Sequence, residues 1–399
     1  MARILIGWET GAGYGHVAGI RLVARALQAR RHEVILALRN VIEVAPMLKH
    51  EPYRVLQGPH WPYPAPSFRG KPFSAANFAD ILAVSGYANV DDLMAMVRAW
   101  DGLIDLTRPD LVLAEYAPTL CLTAAGRIPA IPFGNGFTTP PANLPVYPPL
   151  QPNVEPVAVQ EKVLAVIQEV QRRRRAPLPK TLPEFFAGAR RFPCTFPELD
   201  PYRAVRREPV IPPLSDLPPP MPLPAAARFF AYLGDEIGGL PRILSSLVKS
   251  GIPGVVYVRR LRKNLKDALK KSNLTVYDEP VPLPKIFPDV SLVIHLGGTG
   301  TAEACLTAGR VQLLFPQHLE HGLTDRALRE LGVGFTVGRN ATEEATIQAV
   351  RRAAGDAKAL ERAQAVARAI DARGPRPGVA PIVDACEELL APSRPVADV

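Results

Sequence analysis

Two series of short apolar runs, each run followed by a helical pattern, flank a proline-rich middle that neither a strand interior nor a helix interior can hold. In the first series, Arg3–Gly7 reads as a buried strand. A glycine-rich turn and an amphipathic helix from about His16 to Arg30 follow, and Glu33–Leu38 is the next strand. Leu111–Ala114 and Ala130–Phe133 are later strands, with an apolar helix from about Thr119 to Gly126 between them. The second series has strands at Arg228–Leu233, Val255–Val258, Leu274–Val276, Leu292–Leu296 and Gln312–Phe315. Its helices are expected at Leu240–Lys249, Ala302–Ala308, Glu343–Ala354, Ala357–Ala372 and Pro381–Leu390. Strands alternating with helices predict parallel sheets covered on both faces. Residues 139–150 and 197–226 are rich in proline, including Pro218-Pro219-Pro220, and a helix from about Val154 to Arg175 lies between them. Proline lacks an amide donor and fixes its backbone angle, so these stretches punctuate the chain. The expected division is an N-terminal domain over 1–200, a linker over 201–226, a second domain over 227–380 and a C-terminal helix and tail over 381–399. Two domains also suit 399 residues, 47% of them hydrophobic.

No apolar run approaches the roughly 20 residues of a membrane-spanning helix. The N-terminus reads as a strand soon followed by glycines, unlike a signal peptide. Cys121, Cys194, Cys305 and Cys386 form no C-x-x-C pair and no metal-ligand spacing. Reduced thiols, a cytoplasmic location and no bound metal are therefore expected. The net charge of +9 suits an anionic ligand, nucleic acid or a membrane surface. Aromatic and basic residues do not interleave as in single-strand binding, so nucleic acid is set aside. The densest basic run, Arg172–Arg175, reads first as a solvated helix face and second as a peripheral contact with an anionic lipid or acceptor. Nothing in the sequence sets an oligomeric state.

Three motifs carry chemistry. Gly11-Ala12-Gly13-Tyr14-Gly15-His16 follows the first strand. Its G-x-G-x-G spacing departs from the G-x-G-x-x-G dinucleotide fingerprint. His16 falls at a strand's carboxyl end, where parallel sheets place ligands, and an imidazole there can take a proton from a hydroxyl. A helix-capping or core histidine is the bland alternative, of about equal weight. The second motif, His295-Leu296-Gly297-Gly298-Thr299-Gly300-Thr301, joins a strand end to a helix start. Such a turn aims amides and hydroxyls at an anion such as a diphosphate. No Lys-Ser/Thr follows, so it is not a nucleoside-triphosphate loop. The third, Phe315-Pro316-Gln317-His318-Leu319-Glu320-His321, offers directed hydrogen bonds to sugar hydroxyls or else is a polar surface loop.

The chain resembles the UDP-glycosyltransferase superfamily of the GT-B fold, especially bacterial antibiotic and macrolide glycosyltransferases. Tyr14-Gly15-His16-Val17, then Leu27, Arg30 and His32-Glu33-Val34, is similar to that family's opening, with Arg31 in place of a glycine. Gly297, Gly298, Gly300, Thr301, Leu306, Gly309, Gln312, Pro316 and Glu320 match its donor signature. The resemblance implies an α/β fold of two Rossmann-like domains facing each other across a cleft. It implies an inverting, metal-independent glycosyltransferase that uses no cofactor beyond its donor, a UDP- or TDP-sugar. It implies an acceptor hydroxyl on a small or lipid-like molecule. It implies His16 as general base and Glu115 as the carboxylate that orients it. It implies donor binding by His295, Gly297, Gly298, Thr299, Gly300, Thr301, Glu303, Gln317, Glu320 and His321. Three positions depart from the pattern. Leu296 stands where the phosphate-binding histidine is usual, with His295 one residue early. Ala304 stands at the ribose-binding glutamate, beside Glu303. His321 replaces a sugar-binding glutamine. These departures keep a second hypothesis open, a non-catalytic relative that binds a nucleotide sugar and assists a partner enzyme. An epimerase of the same fold and a dehydrogenase rank below both.

Overall fold

The apolar runs become strands where the sequence places them. In the computed structural model, which describes residues 1–62, 73–215, 217–374, 376 and 378–391, the chain divides into two units. One comprises Met1–Ser215 with Pro377–Val399, the other Asp216–Arg376. In the first unit the order is β1 (Arg3–Trp8), α1 (Tyr14–Ala29), β2 (Glu33–Leu38), α2 (Val41–Leu48), β3 (Arg54–Gln57), α3 (Phe78–Leu82), α4 (Val90–Thr107), β4 (Leu111–Glu115), α5 (Pro118–Ala124), β5 (Ala130–Gly134), α6 (Gln160–Arg174) and β6 (Phe192–Pro193). In the second it is β7 (Phe229–Gly234), α7 (Leu240–Lys249), β8 (Gly254–Arg259), α8 (Lys263–Lys270), β9 (Leu274–Val276), α9 (Leu283–Ile286), β10 (Leu292–His295), α10 (Thr299–Ala308), β11 (Val311–Leu314), α11 (Leu319–Glu330), β12 (Gly334–Thr336), α12 (Glu343–Gly355) and α13 (Ala357–Asp371). A last helix, α14 (Ala380–Leu390), belongs to the first unit.

Each unit holds one six-stranded parallel sheet, ordered β3-β2-β1-β4-β5-β6 and β12-β11-β10-β7-β8-β9. Counted from its own first strand, each sheet runs 3-2-1-4-5-6, the doubly wound order of dinucleotide-binding folds. The order reverses between β1 and β4 in the first unit and between β7 and β10 in the second, and there the loops leaving the strand ends part to make a crevice. Buried Ile4, Ile6, Leu36 and Leu113 pack against Val17, Val23 and Leu27 of α1. The same core takes in Ile382, Val383 and Cys386 of α14. All four cysteines are buried thiols. No helix among the described residues is long and apolar enough to cross a membrane.

Three expectations change. The helix expected from Val154 begins at Gln160. Pro156 biases the residue before it away from helix, and the amides of Val157 and Ala158 donate to Asp80 Oδ1 instead. Second, the Arg172–Arg175 run stays solvated as first expected, with Arg172, Arg173 and Arg175 exposed, but its charge is largely paired within the unit. Arg172 and Arg173 pair with Glu169, and Arg174, 11% exposed, lies 3.1 Å from Asp101. Third, residues 201–215, expected in the linker, are part of the first unit. Cys194 bridges Ile211, and buried Arg206 pairs with Asp200 at 2.6 Å and donates to the carbonyls of Gly136 and Thr139. Proline removes donors but not acceptors, so a proline-rich strand of chain can be bound through its carbonyls.

Arg310 does the same in the second unit. It is fully buried without a carboxylate partner among the described residues and donates to the carbonyls of Met221, Pro222, Phe287 and Ala308 at 2.8–3.1 Å. This binds the second half of the proline-rich stretch to the unit. Arg310→Met keeps much of the volume but strands those carbonyls. It should lower stability by about 2 kcal/mol, measured by denaturant unfolding, since each unsatisfied buried acceptor costs roughly 1–3 kcal/mol. An unchanged midpoint would show the carbonyls to be hydrated.

Candidate active site

In the first unit, β1 and β4 are neighbours in register, with Trp8 opposite Glu115. Both chains therefore leave the sheet at the same level. After β1 the chain turns through Gly11 (φ +87°) and Gly13 (φ +95°) into α1, which places His16 in the first turn. His16 Nδ1 lies 2.8 and 2.9 Å from the two carboxylate oxygens of Glu115. An Nδ1 proton donated to that carboxylate leaves Nε2 as the proton acceptor, and the carboxylate then stabilises the imidazolium once Nε2 is protonated. His16 and Glu115 side chains are 11% and 6% exposed, so the pair works largely out of water. The ring stacks between Trp8 and Tyr116, with centroids at 5.3 and 6.1 Å. Gly11 is required by this packing, because a Cβ there would stand 2.4 Å from His16 Nε2. Tyr116 holds φ +43°, and its carbonyl accepts from the amide of Thr10 at 3.1 Å, tying the β1 and β4 loops together. Tyr116 also begins a chain of aromatic neighbours with Phe78, Phe137 and Tyr147.

In the second unit, β10 enters the turn Leu296–Gly298, and Gly298 is the N-cap of α10 with no capping side chain. A helix start of this kind can turn its amides toward an anion. Gly297 adopts φ +108°, and a Cβ on it would meet Cβ of His321 at 2.9 Å. Thr299 Oγ1 donates to Glu320 Oε1 at 3.2 Å, so Glu320 stands beside the turn as an acceptor for hydroxyls. Gln317 donates its amide N–H to His321 Nδ1 at 3.4 Å and its side chain to the Phe315 carbonyl at 2.8 Å. It also lines a cavity of about 480 Å³ with Arg242, Arg339 and Asn340. Glycines 297, 298 and 300 with Thr299, Thr301, Gln317, Glu320 and His321 thus form one rim.

Two residues expected to bind donor do not reach that rim. His295 is 1% exposed and lies beneath it. Its Nε2 donates to Gln312 Oε1 at 3.0 Å and its Nδ1 accepts from the amide of Gly297 at 3.2 Å. Burial pushes its pKa down to about 4, against the opposing bond to Gln312, so it is neutral near pH 7 and braces the turn from below. Consecutive strand residues face opposite sides of a sheet, so the one-residue shift sends this imidazole inward. Glu303, 5% exposed, faces the interior of the unit from α10. His321 stays on the rim but uncharged. Burial, then His318, His295 and Arg339, push its pKa down to about 2. Neither His295 nor His321 is therefore a cation at this turn near neutral pH.

Sequence reasoning missed Glu9, a fully buried carboxylate directly after β1. The signal available was a carboxylate at the carboxyl end of an apolar strand, two residues before the glycine turn.

Residues 263–389 match the family described as Erythromycin biosynthesis protein CIII-like, C-terminal domain. No curated protein matches the chain in sequence. Among solved structures, CalG4, the calicheamicin glycosyltransferase, is similar at TM-score 0.71 and 20% identity, over 99% of each chain. Spinosyn rhamnosyltransferase SpnG complexed with thymidine diphosphate is similar at TM-score 0.67 and 19% identity, over 97% of this chain and 100% of that one. The Streptomyces sp. SF2575 glycosyltransferase SsfS6, also complexed with thymidine diphosphate, gives TM-score 0.62 and 21% identity over 97% and 100%. The chain thus has the GT-B fold of these antibiotic glycosyltransferases, and its residues 263–389 match the C-terminal domain of the erythromycin CIII-like family.

Proposed function

We propose that this protein is an inverting glycosyltransferase that moves a sugar from a nucleoside diphosphate to a hydroxyl of a small-molecule or lipid-like acceptor. The observation that carries this is the contact of His16 Nδ1 with both oxygens of Glu115, which leaves Nε2 to accept a proton. The acceptor hydroxyl gives its proton to Nε2 as its oxygen bonds the anomeric carbon. The bond from that carbon to the diphosphate oxygen breaks on the opposite face, and the diphosphate leaves with the electron pair. Amides and hydroxyls of Gly298–Thr301 at the start of α10 stabilise the departing charge, so a metal is not required. Glu320 and Gln317 accept from and donate to sugar hydroxyls. The thymidine diphosphate bound to SpnG and SsfS6 supports a TDP-sugar over a UDP-sugar here.

The test is release of TDP from a TDP-sugar, measured over a panel of hydroxylated acceptors with and without a chelator. Acceptor-dependent release that the chelator leaves unchanged is expected. Release abolished by the chelator and restored by magnesium or manganese would contradict metal independence. The inward-facing His295 favours a second reading, a nucleotide-sugar-binding relative without turnover. Tight TDP binding with no release for any acceptor would establish it.

A further inference from the structure

Glu9 is a carboxylate that the proposed mechanism does not use, and it is enclosed by donors. Its Oε1 accepts from Trp61 Nε1 at 2.8 Å and Thr119 Oγ1 at 2.5 Å. Its Oε2 accepts from Trp100 Nε1 at 3.2 Å and the Thr119 amide at 3.1 Å. Tyr87 completes the group through a 2.6 Å hydrogen bond to Thr119 Oγ1. Trp8 and Glu9 lie consecutively at the end of the strand. Trp8 packs against His16, while Glu9 meets α4 and α5. Thr119 lies four residues after Glu115, at the start of α5, whose N-cap Ala117 offers no side chain. Glu9 therefore supplies from β1 the cap that α5 lacks. The loop between Glu115 and Thr119 contains Tyr116 in a left-handed conformation, which needs to be held from both ends. Thr10 holds one end through the Tyr116 carbonyl and Glu9 the other through Thr119.

We infer that Glu9 is a positioning residue, which acts through Thr119 to keep the Glu115 carboxylate against His16 Nδ1. The assignment deepens the transferase mechanism and rests on it for its meaning, but the geometry it asserts can be read without turnover. Burial raises the Glu9 pKa to about 7 against the opposing bonds from Thr119 and Trp61. The titratable groups facing it are Tyr87 and Cys121, both pushed well up by burial first and by Glu9 second. No cation is among the groups that shift it. The clamp is thus at full strength well above pH 7 and loosens as pH falls through that value, when protonation weakens one oxygen as an acceptor and sets its proton against the surrounding donors.

The experiment follows the His16 imidazole by nitrogen-15 NMR across pH in the full-length protein, with His16→Ala assigning the signal. Glu9→Gln is compared with the parent and with Thr119→Val, which keeps the side-chain shape and backbone amide but removes the hydroxyl. Thermal melts establish which variants fold. Loss of the apposed carboxylate should lower the His16 pKa by about one unit, a tenfold loss of proton affinity, in folded Glu9→Gln, with a smaller shift in Thr119→Val. Should Glu9→Gln not fold, the Thr119→Val shift decides. A His16 titration that coincides with the parent in every folded variant overturns the assignment, whatever the transferase assays show. A normal shift without any sugar transfer leaves the assignment standing and removes the transferase reading.

Discussion

His16→Ala should reduce sugar transfer by about 10²–10⁴-fold, equivalent to roughly 3–5 kcal/mol of barrier. A hydroxyl is a poor nucleophile until its proton leaves, and His16 is the imidazole apposed to a carboxylate through Nδ1. Affinity for TDP should change little, because the glycine turn expected to hold it belongs to the other unit. Glu115→Gln should cost less, since it weakens the orientation and stabilisation of the imidazolium but leaves the base in place. Steady-state transfer rates together with calorimetric TDP binding check both statements. Transfer at the parent rate with collapsed TDP binding would make His16 a donor-binding residue and remove it from the mechanism.

The second large effect belongs to a residue with no functional group. Gly11→Ala should cost about 10²-fold in transfer, because the added Cβ would stand 2.4 Å from His16 Nε2, the atom that takes the proton. Tyr116 crowds the same point at 3.2 Å, so the imidazole must move off its Glu115 contact. The backbone at φ +87° adds strain of roughly 1–2 kcal/mol. Gly13→Ala separates the two causes. Gly13 has φ +95°, but its added Cβ meets nothing within 4 Å. It should lose stability to a similar extent and keep most of its transfer rate. Equal losses of rate in both variants, at equal folded fractions, would show that backbone strain rather than displacement of His16 is responsible.

Local pattern determined a good part of this protein. The strands Glu33–Leu38 and Leu274–Val276 and the helix Leu240–Lys249 stand at their expected bounds, because apolar spacing and flanking turn residues act within a few residues. His16 and the Gly297–Thr301 turn were legible for the same reason. Each belongs to a glycine-rich turn that leads from an apolar strand into a helix, and parallel sheets put ligands at carboxyl ends. The helix Val90–Thr107 was passed over, although Asn89 caps it and Asp91 and Asp92 open its first turn. Its apolar face, with Val97, Trp100 and Ile104, becomes evident only beside the helices and sheet that cover it.

Tertiary structure decided what lies far apart in the chain. Both sheets run in the same 3-2-1-4-5-6 order although no repeat is visible in the sequence, since topology depends on which strands pair and not on which residues build them. His295 looked like a ligand by its place in the motif, but the pleat turned it inward beneath the turn. The prolines of 201–226 looked like a tether, but Arg206 within the stretch binds the carbonyls of Gly136 and Thr139, and Arg310 from beyond it binds those of Met221 and Pro222. Glu9 shows the difference most sharply. Its four donors come from Trp61, Trp100 and Thr119, which lie 52, 91 and 110 residues away, and only the folded sheet brings them to one buried carboxylate.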